Sequence, residues 1–289
     1  MGIKDDKLIG LIIISIIYIL SSIIGIYTYS KLINNYPFYI NLLISDTIST
    51  IFCFIFSTLF SNSSIYDPYW SVQPIVIILS YMLYYKNSKE ITLIFLSILF
   101  WGVRLTLNWV YTFTNLKIQD WRYTQIKNQT GIFYPFVNFI GIHYVPTLIV
   151  YFCILPPIYL ILYQNNNKNN LLSIIFLICS FLSTLLEAEA DREMHIFKKK
   201  NDTNTFIRNG LWKYSRHPNY LGEILFWWFI ALYCIIILKG FYFILIGPFL
   251  NTLLFIFISI PLADNHQKRK NGFDEYKSET NMLCPFKIC

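Results

Sequence analysis

The sequence predicts an all-α integral membrane protein, a polytopic bundle of about eight transmembrane helices with both termini in the cytoplasm. Three observations predict it. The 289 residues are 55% hydrophobic and only 13% charged, whereas a soluble domain carries about 25% charged residues. Apolar stretches long enough for a helix to cross a bilayer recur along the chain. Lysine and arginine are distributed asymmetrically between the connections, 17 on the side of the termini against 5 on the other, with Arg104 inside a span completing the 23; cytoplasmic loops carry that excess.

The predicted spans are 8–29, 38–61, 68–85, 91–113, 142–163, 171–190, 221–238 and 241–261. The first follows "MGIKDDK" and is too long for a signal-peptide core, so it reads as a retained helix. The third is short and contains Pro74. A charged loop covers 114–141, and "NNNKNN" at 165–170 makes a short polar loop on the opposite face. The seventh and eighth are separated only by Lys239 and Gly240, as in a tight helical hairpin. With no internal repeat and no composition shift marking a soluble module, residues 1–289 read as one integral membrane domain.

Several function classes fall away. A net charge of +7 on a membrane protein is loop charge rather than a nucleic-acid footprint, so no nucleic acid is expected. Cys53, Cys153, Cys179 and Cys234 lie in apolar runs and read as packing residues. With no C-x-x-C pair and only four histidines, no metal site is expected. The ending "CPFKIC" is not a prenylation box. Three sequons, at Asn62, Asn128 and Asn201, all fall on the cytoplasmic side and read as accidents of an Asn-rich chain. No obligate protein partner is implied beyond the bilayer itself.

Ionisable residues in or beside a span mark functional sites by default, and three groups qualify. Arg104 and Asn108 in "WGVRLTLNW" share one helix face. Arg104 must meet a carboxylate, backbone carbonyls or a ligand, so both residues are candidates for cofactor binding as well as for a structural tie. In "EAEADREMHIFKKK" (187–200), Glu187, Asp191, His195 and Lys198 recur at helical spacing; a solvated helix end explains the lysines but not the carboxylates before them. In "GLWKYSRHPNYLGE" (210–223), Pro218 starts a helix, which gathers Arg216, His217, Asn219 and Tyr220 at a helix N-terminus, a natural anion site. An interfacial aromatic belt explains Tyr220, Trp227 and Trp228 but not the Arg–His–Pro–Asn cluster. No G-x-G-x-x-G occurs, so a nicotinamide cofactor would not be held by a Rossmann domain.

These residues resemble the C-terminal signature of the steroid 5-alpha-reductase superfamily, nearest its DUF1295 branch. "DPYWSVQP" (67–74), "RLTLNW" (104–109), "DWRY" (120–123) and "IPLADNHQKRKNGFDEYKSETNMLCPF" (260–286) are similar to that branch, so the resemblance runs from about residue 67 to the C-terminus. It implies an enzyme that uses NADPH to saturate a carbon–carbon double bond in a sterol, steroid or other enoyl lipid, with the cofactor in a cytoplasm-facing cavity and the endoplasmic reticulum as the location. By resemblance, Asp191 and Lys198 contact the cofactor, Trp212, Arg216, His217, Asn219 and Tyr220 form the loop that wraps it, and His266 is a polar position after the last span. Glu187 stands where the reductases are expected to have Asn, and the substrate-facing Glu and Tyr of those enzymes have no match in the first third of the chain.

The chemistry needs a flat-lying hydride donor, a proton donor and exclusion of water. Tyr220, Tyr123 and Glu223 are the candidate proton donors; Glu223 serves equally well as a helix-end partner of Arg216 or Arg104. "RHPxYxG" also occurs in isoprenylcysteine and phospholipid methyltransferases, which keeps an S-adenosylmethionine-dependent membrane methyltransferase as the alternative. A catalytically inactive lipid-binding member of the reductase superfamily is the third reading.

Overall fold

The computed structural model describes residues 4–85, 88–163, 170–201 and 204–284, and its described elements are all helices. The expected polar loop at 165–170, save Asn170, and the tail residue Cys289 lie outside the described residues. Helix α1 (Lys7–Leu32) starts where the Asp6 carboxylate accepts from Ile9 N at 2.9 Å, an N-cap that satisfies one orphan donor. Helix α2 (Phe38–Phe60) follows Pro37 and stops at Ser61, whose φ of 55° leaves the helical region. Next come α3 (Tyr69–Tyr84) and α4 (Lys89–Thr112), the latter capped by Ser88.

A long helical column follows. It comprises α5 (Trp121–Thr130), a single 3-10 turn, α6 (Tyr134–Val137), a π-helical turn at Asn138–Tyr144 and α7 (Val145–Tyr163). Helix α8 (Leu171–Lys200) opens with a capping box between Asn170 and Ser173, and α9 (Pro218–Leu238) has Pro218 in its first turn, as the sequence implies. The last column joins α10 (Ile246–Leu254) through a π-turn to α11 (Ile260–Gln267), and α12 (Phe273–Glu279) closes the described chain.

Seven of these helical columns are long and apolar enough to cross a membrane, and the chain is an integral multi-pass membrane protein. The eighth expected span is α3, which at 16 residues reaches about 24 Å, short of the roughly 30 Å hydrocarbon core. It still completes a pass of the bundle. At one end, Lys4 Nζ donates to Phe60 O (3.2 Å), Lys7 Nζ to Tyr111 O (3.4 Å), Lys117 pairs with Asp5 (2.6 Å) and the Trp121 ring stacks on His266 (3.8 Å). At the other, Phe38 meets Tyr159 and Tyr163, and Tyr163 meets Phe241. The start of α1 and the end of α11 therefore share one end, here the terminal face, which requires an even number of passes.

One expectation needs correction. Residues 114–141 are not a loop throughout: from Trp121 onward they are helical. The Asp120 side chain accepts from Arg122 N at 2.8 Å and caps α5, and Gly131, with φ of 52°, interrupts the column ten residues later. The polar run Lys127–Gln129 hides this helix from a hydropathy reading.

Trp101, Phe226, Trp227 and Tyr233 are fully buried at the centre, while α1 and α8 turn isoleucines and leucines outward, as a lipid-facing surface requires. Cys53, Cys153 and Cys234 are buried free thiols, consistent with packing. The Asn62 side chain is also buried, donating to Leu116 O at 2.8 Å. Helices α8 and α9 approach closely at Gly222, where a Cβ would lie 2.7 Å from Ser183 O and 2.8 Å from Glu187 Cβ. Gly222→Leu should therefore wedge the pair apart and cost about 1–3 kcal/mol, read as a lowered melting temperature in detergent; an unchanged value would show that the two helices slide freely.

Candidate functional site

Helices α4, α8 and α9 bring their polar residues together near the terminal face. Helical spacing puts Trp101, Arg104 and Asn108 of α4 on one side, Glu187, Asp191 and His195 of α8 opposite, and Asn219 and Glu223 of α9 alongside. Asp191 is the hub. Its Oδ2 accepts from Arg104 Nη1 (2.6 Å) and Asn108 Nδ2 (3.0 Å), and its Oδ1 from Asn219 Nδ2 (3.2 Å). The Asn108 carbonyl meets His195 Nε2 at 2.6 Å. Arg104 Nη2 is in ion-pair contact with Glu187 Oε1, and Glu187 Oε2 is buried with no hydrogen-bond partner among the described residues. The sequence thus found the members of this cluster, and the structure shows that Arg104 meets carboxylates.

Glu223 lies one turn deeper and pairs with neither Arg216 nor Arg104. Its two oxygens accept from Trp101 Nε1 (2.6 Å) and Trp227 Nε1 (2.8 Å). Those indoles carried no signal in the sequence beyond being aromatic. A cleft of about 460 Å³ opens beside the cluster, lined by Arg104, Asn108, Asp191, His195 and Lys199 among others.

The loop before α9 does a different job. Arg216 and His217 are both buried, and Arg216 turns toward the tail. Its Nη1 donates to Thr280 O (2.5 Å) and Lys277 O (3.2 Å), its Nη2 to Asp264 Oδ2 (3.2 Å), and its backbone N to Asn281 O (2.9 Å). His217 Nε2 lies 2.9 Å from Asp264 Oδ1, and Lys277 Nζ 3.1 Å from Asp264 Oδ2. Asp264 was not singled out in the sequence, yet it ties α11, the loop and α12 together. Trp212 is buried as well; its Nε1 donates to Ala190 O (3.2 Å) and its carbonyl accepts from Tyr276 OH.

A third group sits between the other two. Tyr123 OH donates to Asp67 Oδ1 in a short contact, and Arg122 forks onto Asp120 through Nε (2.8 Å) and Nη2 (3.1 Å). Burial raises the Asp67 carboxyl to about 6 against the opposing charge of Arg122. Burial also acts to raise the Asp120 carboxyl, but the Arg122 guanidinium outweighs it and holds the group below its usual range. The Tyr220 ring stacks on His217 (5.3 Å, 5° between planes) and packs on Phe255. Arg122, Asp120 and Asp191 all lie within electrostatic reach of it, and its hydroxyl has no hydrogen-bond partner among the described residues. Lys198 is exposed at the end of α8 and within electrostatic reach of Asp120, His266 and Lys270.

A model of the family described as "Protein of unknown function (DUF1295)" matches residues 53–280. The chain belongs to the DUF1295 family. No curated protein and no solved structure matches it. The DUF1295 match takes in every side chain of the three groups above and leaves out α1 and the greater part of α2. The family thus coincides with the part of the bundle that builds the terminal-face cluster.

Proposed function

We propose that this DUF1295 protein is an NADPH-dependent reductase of a carbon–carbon double bond in a membrane lipid (a sterol, steroid or other enoyl lipid), related to the steroid 5-alpha-reductases and working from the cytoplasmic face of the endoplasmic reticulum. The observation that carries the reading is Tyr220. It is a phenol with a free hydroxyl, its ring fixed between His217 and Phe255, beside an ionic cluster built into the end of a membrane bundle. A positioned phenol can donate a proton without leaving a carboxylate in oil. Tyr123 is less free, since its hydroxyl is held by Asp67, and Glu223 already accepts two indole hydrogen bonds.

The residues present suit a dinucleotide. Lys198 and Lys200 are exposed and have no carboxylate within ion-pair distance among the described residues, and they would hold phosphate groups. Asn108, His195 and Asn219 would offer hydrogen bonds to the amide or ribose, with Asp191 fixing their orientation. Arg216 and His217 would shape the chamber by holding the tail across it. Bound NADPH would supply the hydride.

The test is thermal stability of the purified protein in detergent with NADPH, NADH or S-adenosylmethionine. A ligand that binds only the folded state at about 100 times its Kd adds about 2.7 kcal/mol. NADPH is expected to raise the melting temperature, and Asn219→Ala to abolish that rise at normal yield. Tyr220→Phe should keep the NADPH shift and lose about 10²–10⁴-fold in lipid-dependent NADPH oxidation. A shift with S-adenosylmethionine alone overturns the reading in favour of a methyltransferase. An NADPH shift with no turnover on any lipid favours an inactive lipid-binding member.

A further inference from the structure

A second polar feature lies in the opposite half of the bundle. Helices α1, α2 and α3 enclose a cavity of about 190 Å³. Its walls come from the second half of α1 (from Ser22), the first half of α2 (Leu42–Ser49) and the body of α3 (Gln73 onward). Since α1 and α3 start at the terminal face and α2 starts at the other, the α1 and α2 contributions and most of the α3 contribution fall in the half remote from the terminal face. None of the Arg104, Arg216 or Tyr123 groups lines it, and the α1 and α2 walls lie outside the family match.

Most of the lining is apolar, with Ile26, Leu42 and Ile77 among it, but one wall carries Asp46. Asp46 is only 5% exposed, and its Oδ1 is buried with no hydrogen-bond partner among the described residues. Four hydroxyls of the wall spend their donors inside the protein. Ser45 Oγ donates to Asn41 O (2.8 Å), Ser49 Oγ to Ser21 O (3.0 Å), Ser80 Oγ to Val76 O (2.7 Å) and Tyr81 OH to Tyr29 OH (2.8 Å). Asp46 Oδ1 offers acceptor capacity, as a carboxyl oxygen does in either protonation state. A buried acceptor left without a donor is costly, so the ligand that fits must bring a donor on an apolar body. Among the described residues no Lys, Arg or His lines the cavity, and burying an ammonium in oil carries a larger desolvation cost than burying a hydroxyl.

We propose that the α1–α2–α3 cavity binds a membrane-soluble alcohol whose hydroxyl donates to Asp46 Oδ1, a lipid site separate from the terminal-face cluster. It does not rest on the reductase reading: its ligand is set by the unpartnered Asp46 oxygen and the apolar lining.

The full chain, reconstituted in phosphatidylcholine vesicles, would be photolabelled with a diazirine-bearing hexadecanol, and the labelled peptides mapped. Labelling is expected in α1 and α3, competed by plain hexadecanol and not by hexadecane. Asp46→Leu removes the acceptor and should cut that labelling about tenfold, the equivalent of one hydrogen bond. Asp46→Asn, which keeps an acceptor oxygen, should retain most of it. Hexadecane competing as well as hexadecanol would overturn the proposal, since the cavity would then be a plain apolar crevice. Competition by hexadecylamine but not by hexadecanol would overturn it too. Both competitions use the unmodified protein, so a poorly folding Asp46→Leu variant does not decide the matter.

Discussion

Arg216→Met is expected to destabilise the protein by about 3–5 kcal/mol, the cost of removing one partner from a buried ion pair. The side chain is 8% exposed and its partner Asp264 5%. Two backbone carbonyls, of Lys277 and Thr280, lose their donor at the same time. Lys277 and His217 remain beside Asp264, but the Lys277 side chain is about half exposed and cannot replace a buried fork. The tail should loosen first. Phe273 and Tyr276 are buried in the folded protein, so chymotrypsin should cut there in the variant well before the bundle melts. Arg216→Lys should recover little, because one ammonium cannot serve the carboxylate and the two carbonyls in a planar fork. An unchanged melting temperature and an uncut tail would show that the loop and tail are independent. This prediction does not depend on any ligand, which separates it from the cofactor test at Asn219.

Much of this architecture was legible in the chain because membrane helices declare themselves by composition. Seven of the eight expected spans, the helix start at Pro218 and the common face of Glu187, Asp191 and His195 follow from local pattern, and the structure reproduces them. What was hidden was pairing at a distance. Nothing near Arg216 indicates that its carboxylate is Asp264, 48 residues on, or that Glu223 is held by Trp101 from 122 residues away. Such partners are chosen by helix packing, and a tryptophan reads as core whether or not its N–H is used. The column from Trp121 was hidden for another reason. Its first turns are mostly polar and its continuous apolar run begins only after Gly131, so hydropathy places the start of the helix some twenty residues late. Asp46 was missed because it is one carboxylate in an apolar run; only the cavity beside it gives it meaning.

Arg104→Met is the other change with a large expected effect, and its interest lies in which second mutation compensates. Arg104 is in ion-pair contact with two carboxylates, Glu187 and Asp191, while Glu223 lies within its electrostatic reach. Removing the guanidinium leaves those carboxyls facing one another with a single buried cation gone, and a loss of about 3–5 kcal/mol follows. The compensating site should be Glu187. Among the described residues its Oε2 has no hydrogen-bond partner and Arg104 is its one ion-pair partner, so without Arg104 none of them holds its charge. Asp191 still receives Asn108 and Asn219, and Glu223 still receives both indoles. Arg104→Met with Glu187→Gln should therefore recover about 1–3 kcal/mol, the range of coupling between residues in direct contact, whereas Arg104→Met with Glu223→Gln should recover nothing and lose the indole acceptor besides. Chemical denaturation in detergent of the two double-mutant cycles reads both couplings. Equal recovery in the two would mean that Arg104 acts on the carboxyls as a diffuse field rather than through contact, and the tie between α4 and α8 would then have to come from packing alone.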